Sequence, residues 1–108
     1  MKKLPADFPI LHDMYSDEYF PKNLVDKVAA AIREVIIFLE TGPHSKDEVQ
    51  AKLDQMTEEI NRLQGEFEEN ESELETAARE SIGETVDGVL KFFDVDIDIE
   101  EAIRVRDW

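Results

Sequence analysis

The chain carries two histidines, no cysteine and 27 acidic side chains, so its chemistry has to come from carboxylates, imidazoles and hydroxyls. The lack of cysteine excludes disulfides, thiolate metal sites and cysteine nucleophiles. Carboxylate-rich helical bundles can hold paired metal ions through glutamates and Glu-x-x-His motifs, whose spacing puts both ligands on one helical face. Here the residues three before His12 and His44 are Pro9 and Thr41. Neither completes the motif, and no His-Glu-x-x-His occurs, so no metal or cofactor is expected. The run Asp94-x-Asp96-x-Asp98 has the spacing of early calcium ligands. Its sixth position is Ile99 where glycine is required, and its twelfth is Val105 where a bidentate glutamate belongs. It reads instead as solvated carboxylates alternating with Val95, Ile97 and Ile99 over a core. Gly-x-Ser-x-Gly and glycine-rich phosphate loops are missing as well, and no residue is assigned as catalytic.

The aromatic N-terminal stretch is the other place where chemistry could gather. His12 lies beside Asp13 and near Tyr15 and Tyr19, and a neighbouring carboxylate can tune a histidine for acid-base work. Two tyrosines four residues apart can bury their rings and present hydroxyls at a surface, as a cap on a bundle or as a binding face. Trp108 is expected to dock rather than fray, because burial of an indole strongly favours docking. His12, Tyr15, Asp17 and Tyr19, with Arg106 and Trp108 from the other terminus, therefore form a candidate small-molecule or enzymatic site.

These residues need elements to position them, and the pattern is helical. A short turn is expected from about Pro9 to Tyr15. A long helix then runs from Pro21 or Lys22 to about Thr41, with Val25, Val28, Ile32, Val35 and Leu39 at 3/4 spacing and Gly42-Pro43 as its stop. A second helix opens with the capping box Ser45/Glu48 and keeps a heptad seam through Val49, Leu53, Met56, Ile60, Leu63 and Phe67. Such a seam could also pair two copies of the chain. Ser72 and Glu75 form a second capping pattern, which predicts a third helix over 73–93, with Gly83 and Gly88 marking close approach of another helix. A period-two segment follows, then a third capping pattern, Asp98/Glu101, that opens a short helix over 99–105. The fold expected is a single all-α domain over 1–108: an antiparallel three-helix bundle with short helical or extended flanking segments at both termini.

Charge narrows the function classes. Twelve basic residues against the 27 acidic ones give a net charge of −15, which opposes binding to nucleic acid or an anionic membrane. Residues 66–101 hold fourteen acids against Arg79 and Lys91, so twelve of the net negative charges fall there. Glu66, Glu68, Glu69, Glu71, Glu73 and Glu75 form a candidate acidic contact surface for a basic protein. No 18-residue apolar run and no apolar leader behind Lys2 and Lys3 is present, so a cytoplasmic location is expected.

Three stretches together resemble a family of small bacterial proteins classed as a domain of unknown function. They are Met14-Tyr15-x-Asp17-x-Tyr19-Phe20-Pro21, the stretch Glu66-Phe67-Glu68-Glu69-Asn70-x-Ser72-Glu73, and the ending Arg106-Asp107-Trp108. The resemblance implies a bacterial, cytoplasmic, helical protein and brings no activity, ligand or catalytic residue with it. The reading that follows is a non-enzymatic acidic module that binds another protein, for which an immunity-type inhibitor of a basic protein is one form. The alternative is the site between the aromatic N-terminal segment and Arg106-Asp107-Trp108.

Overall fold

A computed structural model describes residues 3–108 and shows five helices among them, with no strand: α1 (His12–Ser16), α2 (Lys22–Glu40), α3 (Lys46–Glu69), α4 (Thr76–Phe92) and α5 (Ile99–Ala102). The fold is all-α, and α2, α3 and α4 make the bundle. Pro21 starts α2, its carbonyl accepting from the N–H groups of Leu24 and Val25 at 3.0 Å each. At the other end the Thr41 N–H bonds back to Phe38, and Gly42 turns the chain at φ 132°. Ser45 opens α3 with the expected reciprocal box: Ser45 Oγ accepts from the Glu48 N–H at 3.1 Å, and Glu48 Oε1 accepts from the Ser45 N–H at 2.9 Å. Those bonds from Ser45 hold the Glu48 carboxyl below its usual range.

The start of α4 differs from expectation. The helix begins at Thr76, and its N-cap Glu75 makes no side-chain cap bond. Ser72 instead closes the preceding helix. Its N–H donates to the Phe67 carbonyl at 2.9 Å, the Glu71 N–H donates to the Glu68 carbonyl at 3.1 Å, and Glu71 sits in the left-handed region at φ 57°. This is the Schellman arrangement, built with glutamate where glycine is preferred. It draws Ser72 inward to 1% exposure, and its hydroxyl is left without a partner. α4 ends in the same way. Asp94 takes φ 58°, and the Val95 N–H reaches the Leu90 carbonyl at 2.9 Å.

α2 and α3 are antiparallel neighbours, tied at one end by Lys27 Nζ to Glu66 Oε1 at 2.6 Å and at the other by Lys52, whose Nζ stands 5.5 Å from the centre of the Phe38 ring. The α3 seam from Val49 to Phe67 is buried throughout. The bundle's own core therefore takes up the heptad face that could have paired two copies. The N-terminal segment lies across α4: the Leu11 N–H donates to Thr85 Oγ1 at 3.0 Å, and the Phe8 ring comes 3.1 Å from where a Cβ on Gly88 would stand. Gly88 thus admits an aromatic ring rather than a helix. Gly83 has nothing within 4 Å of such a Cβ, so the close approach expected there is not found.

Past α4 the alternation holds without forming a strand. Ile97 is buried, Val95 and Ile99 are half-buried, and Asp94, Asp96 and Asp98 are exposed. Asp98 Oδ2 accepts from the Glu100 N–H at 3.1 Å, whereas the Glu101 carboxylate turns to Arg104 instead of returning to Asp98. Only half of the third box forms, and α5 stops at Ala102. α5 and the tail after it run along α3, bonded in turn to Gln50, Asp54 and Asn61, and the tail ends with Trp108 in the core at 6% exposure.

Candidate functional site

The N-terminal candidates take up structural partners. The Tyr15 hydroxyl donates to Asp26 Oδ1 on α2 at 2.5 Å. Burial, then the bond to Asp26 and its charge, push the Tyr15 pKa up to about 12. A phenol held this way is a poor proton donor at neutral pH. Asp17 Oδ1 accepts from the Tyr19 N–H at 2.9 Å. The exposed Tyr19 ring meets Phe20 edge-on at 5.1 Å, and Phe20 meets Phe67 at 6.4 Å. This aromatic series runs from the surface into the end of α3 and caps the bundle. His12 and Asp13 are exposed beside Ser81, Glu84 and Thr85 of α4.

At the other terminus Arg106 donates to the Trp108 backbone oxygen at 2.9 Å and places its guanidinium 5.9 Å from the indole. Its other nitrogen lies 3.7 Å from Glu100. Trp108 fills space in the core rather than lining an opening, and its indole N–H has no partner. Among the described residues no hydrogen bond or ion pair joins His12, Tyr15, Asp17 or Tyr19 to Arg106 or Trp108.

The acidic candidates do gather. Glu68 and Glu69 end α3, Glu71 forms its turn, and Glu73 and Glu75 lead into α4. All five are exposed, and among the described residues no cation or donor is paired with their side chains. Glu66 stands apart from them, because Lys27 neutralises it. Two of these placements work against local stability. The last turn of α3 holds no basic residue, so Glu68 and Glu69 face the negative end of the helix dipole. Glu71 holds a left-handed conformation that disfavours any side chain by about 1 kcal/mol.

Sequence reasoning did not single out an open groove of about 670 Å³ between α2 and α3. Its floor includes Ala30, Ala31, Met56 and Leu63, and its walls are charged. The exposed Ala30 was the available signal, since a small residue on an outward helical face leaves room for a neighbour. Among the described residues no group of three histidines or carboxylates is disposed to hold a metal ion, and no helix is long and apolar enough to cross a membrane.

A helical fold among the described residues, with an acidic turn between α3 and α4 and an aromatic N-terminal segment packed on the bundle, defines the class by architecture. A family model matches residues 5–108, and the chain belongs to that family, described as a family of unknown function (DUF5713). No curated protein and no solved structure matches it.

Proposed function

We propose that this protein is a non-enzymatic binding module whose α3–α4 turn recognises a basic protein surface. The observation that carries this reading is the set of five exposed, unpaired carboxylates, Glu68, Glu69, Glu71, Glu73 and Glu75, on one short stretch. Some of them sit where a helix dipole and a left-handed turn both disfavour them. A merely solvated face gains nothing from those positions, whereas a contact surface gains a dense negative field that speeds encounter with a cationic partner. Inhibition of a basic enzyme or toxin is one use of such a surface, consistent with the size and charge of the chain.

The test is capture by the immobilised full chain at about 50 mM and about 300 mM salt, a range over which screening between exposed charges strengthens markedly. The expected result is a basic protein retained at low salt, released at high salt, and lost when the five glutamates are changed to glutamine. Retention that ignores salt, or that the five-glutamine variant reproduces, overturns the reading.

A further inference from the structure

The groove between α2 and α3 has a charge pattern that reads the same in reverse with the signs exchanged. On α2, Lys27 stands toward one end and Glu34 toward the other, centred on Ala30 and Ala31. On α3, Glu66 and Lys52 mark the two ends, with Arg62 and Glu58 inside them, centred near Ile60. These two centres lie at one level of the bundle, because the antiparallel pairing sets Lys27 against Glu66 and Phe38 against Lys52. Turning the groove end for end brings Lys27 over Glu34, Glu66 over Lys52 and Arg62 over Glu58. Glu59 is the one charged wall residue left out; it pairs with Arg62 in its own helix, as Lys27 pairs with Glu66 across its own groove. The cross-pairs of Lys27, Glu66 and Arg62 therefore add a second partner to ion pairs that each copy already holds.

We propose that this groove is the contact face of a symmetric homodimer, in which α2 of each copy crosses its counterpart antiparallel at Ala30. A twofold axis lying in the interface, perpendicular to the helices, generates the self-complementary contact such a dimer needs. Three points on the structure favour a second copy over another partner. The charges complement themselves under that one operation. The walls carry three cations against four carboxylates, so the face is near neutral in a chain of net charge −15. The exposed Ala30 at the centre lets two helices approach closely. The operation also sends the two α3–α4 turns to opposite extremes. Each copy is 40 Å long, and exposed charges are largely screened beyond about 10 Å in ordinary salt, so the two α3–α4 turns do not repel each other. This face is separate from the acidic turn, and either proposal can fail with the other intact.

Sedimentation of the full chain tests it. At a concentration on the order of 100 μM, which populates a complex with a Kd of about 10 μM, the expected mass is twice the 12.5 kDa of one chain. Ala30→Glu places two carboxylates at the axis, and Glu34→Lys sets lysine against Lys27. Each is expected to give the single-chain mass with unchanged helical circular dichroism. Should Ala30→Glu lose its helical signal, Glu34→Lys on the exposed face carries the test. Lys27→Glu alone is also expected to be single, and mixing it with Glu34→Lys is expected to restore the doubled mass, because both cross-pairs are then opposite in sign. A single-chain mass for the natural sequence, a doubled mass indifferent to both Ala30→Glu and Glu34→Lys, or a mixture that stays single overturns the proposal.

Discussion

The Tyr15 hydroxyl gives the clearest residue-level consequence. Its folded pKa, about 12, lies above the ordinary 10.0 of a free phenol, through burial and the bond to Asp26. The raised value means that the folded state holds the proton more tightly than the unfolded one. The stabilising contribution is therefore complete below about pH 10 and is lost as pH climbs through about 12. An ultraviolet phenolate titration of the protein, compared with Tyr15→Phe, should lose a step near pH 12. A Tyr15 step near 10 would mean that the bond to Asp26 is not made. The sequence showed two tyrosines at helical spacing, but not the partner eleven residues on. That partner depends on how α1 meets α2, which no local pattern encodes.

Among the elements, the join between α3 and α4 departs most from what the sequence led one to expect. The Ser72/Glu75 spacing has the form of a capping box, yet α4 begins only at Thr76; the Ser72 and Glu71 N–H groups close α3 on the orphan carbonyls of Phe67 and Glu68, and the Ser72 hydroxyl stays without a partner. A capping pattern that directly follows another helix does not show how much chain that helix takes for its own closing turn, and here the turn draws Ser72 inward and moves the start of α4 to Thr76. The other boundaries were legible because their signals are unshared: Pro21, Gly42 and the Ser45/Glu48 box each fall on one element. Glu71→Gly tests the join and the proposed function together. Relief of the left-handed side chain should raise stability by about 1 kcal/mol, read by denaturant melting, while removal of one of five carboxylates should weaken retention of a basic partner. A loss of stability would show that the Glu71 side chain has a structural role that the turn does not reveal.

At the scale of the whole molecule, the bundle is sealed by its two flanks, and the tail is the stronger seal. Gln50, Asp54 and Asn61 hold it on α3, and Arg104 binds Asp54 Oδ2 at 2.9 Å. Partial burial pulls the Asp54 carboxyl upward, but the bonds from Arg104 and Gln50 outweigh it and hold the group below its usual range. Trp108→Ala is expected to cost about 3 kcal/mol, as for other buried aromatic truncations, measured by chemical denaturation followed by circular dichroism. Trp108→Phe should cost much less, because the indole N–H it removes has no partner. A small effect of Trp108→Ala would show that the tail is not part of the cooperative core. The three long helices and most of the core were readable from periodicity. The arrangement of the candidate site residues was not, because it depends on where the two flanks lie, and their contacts span most of the chain.

The bond from Leu11 to Thr85 crosses 74 residues of sequence, and the tie from Gln50 to Glu101 crosses 51. Three-helix bundles fold fast when their contacts are local, and rates fall as the mean sequence separation of contacts grows. In this chain α2 and α3 can pair as a local hairpin, but the closing of α4 under the N-terminal segment must await the distant ends. Contacts that form only after the transition state govern how fast a native state comes apart rather than how fast it forms. The ties at the two flanks are thus expected to act on the lifetime of the folded protein more than on its rate of formation.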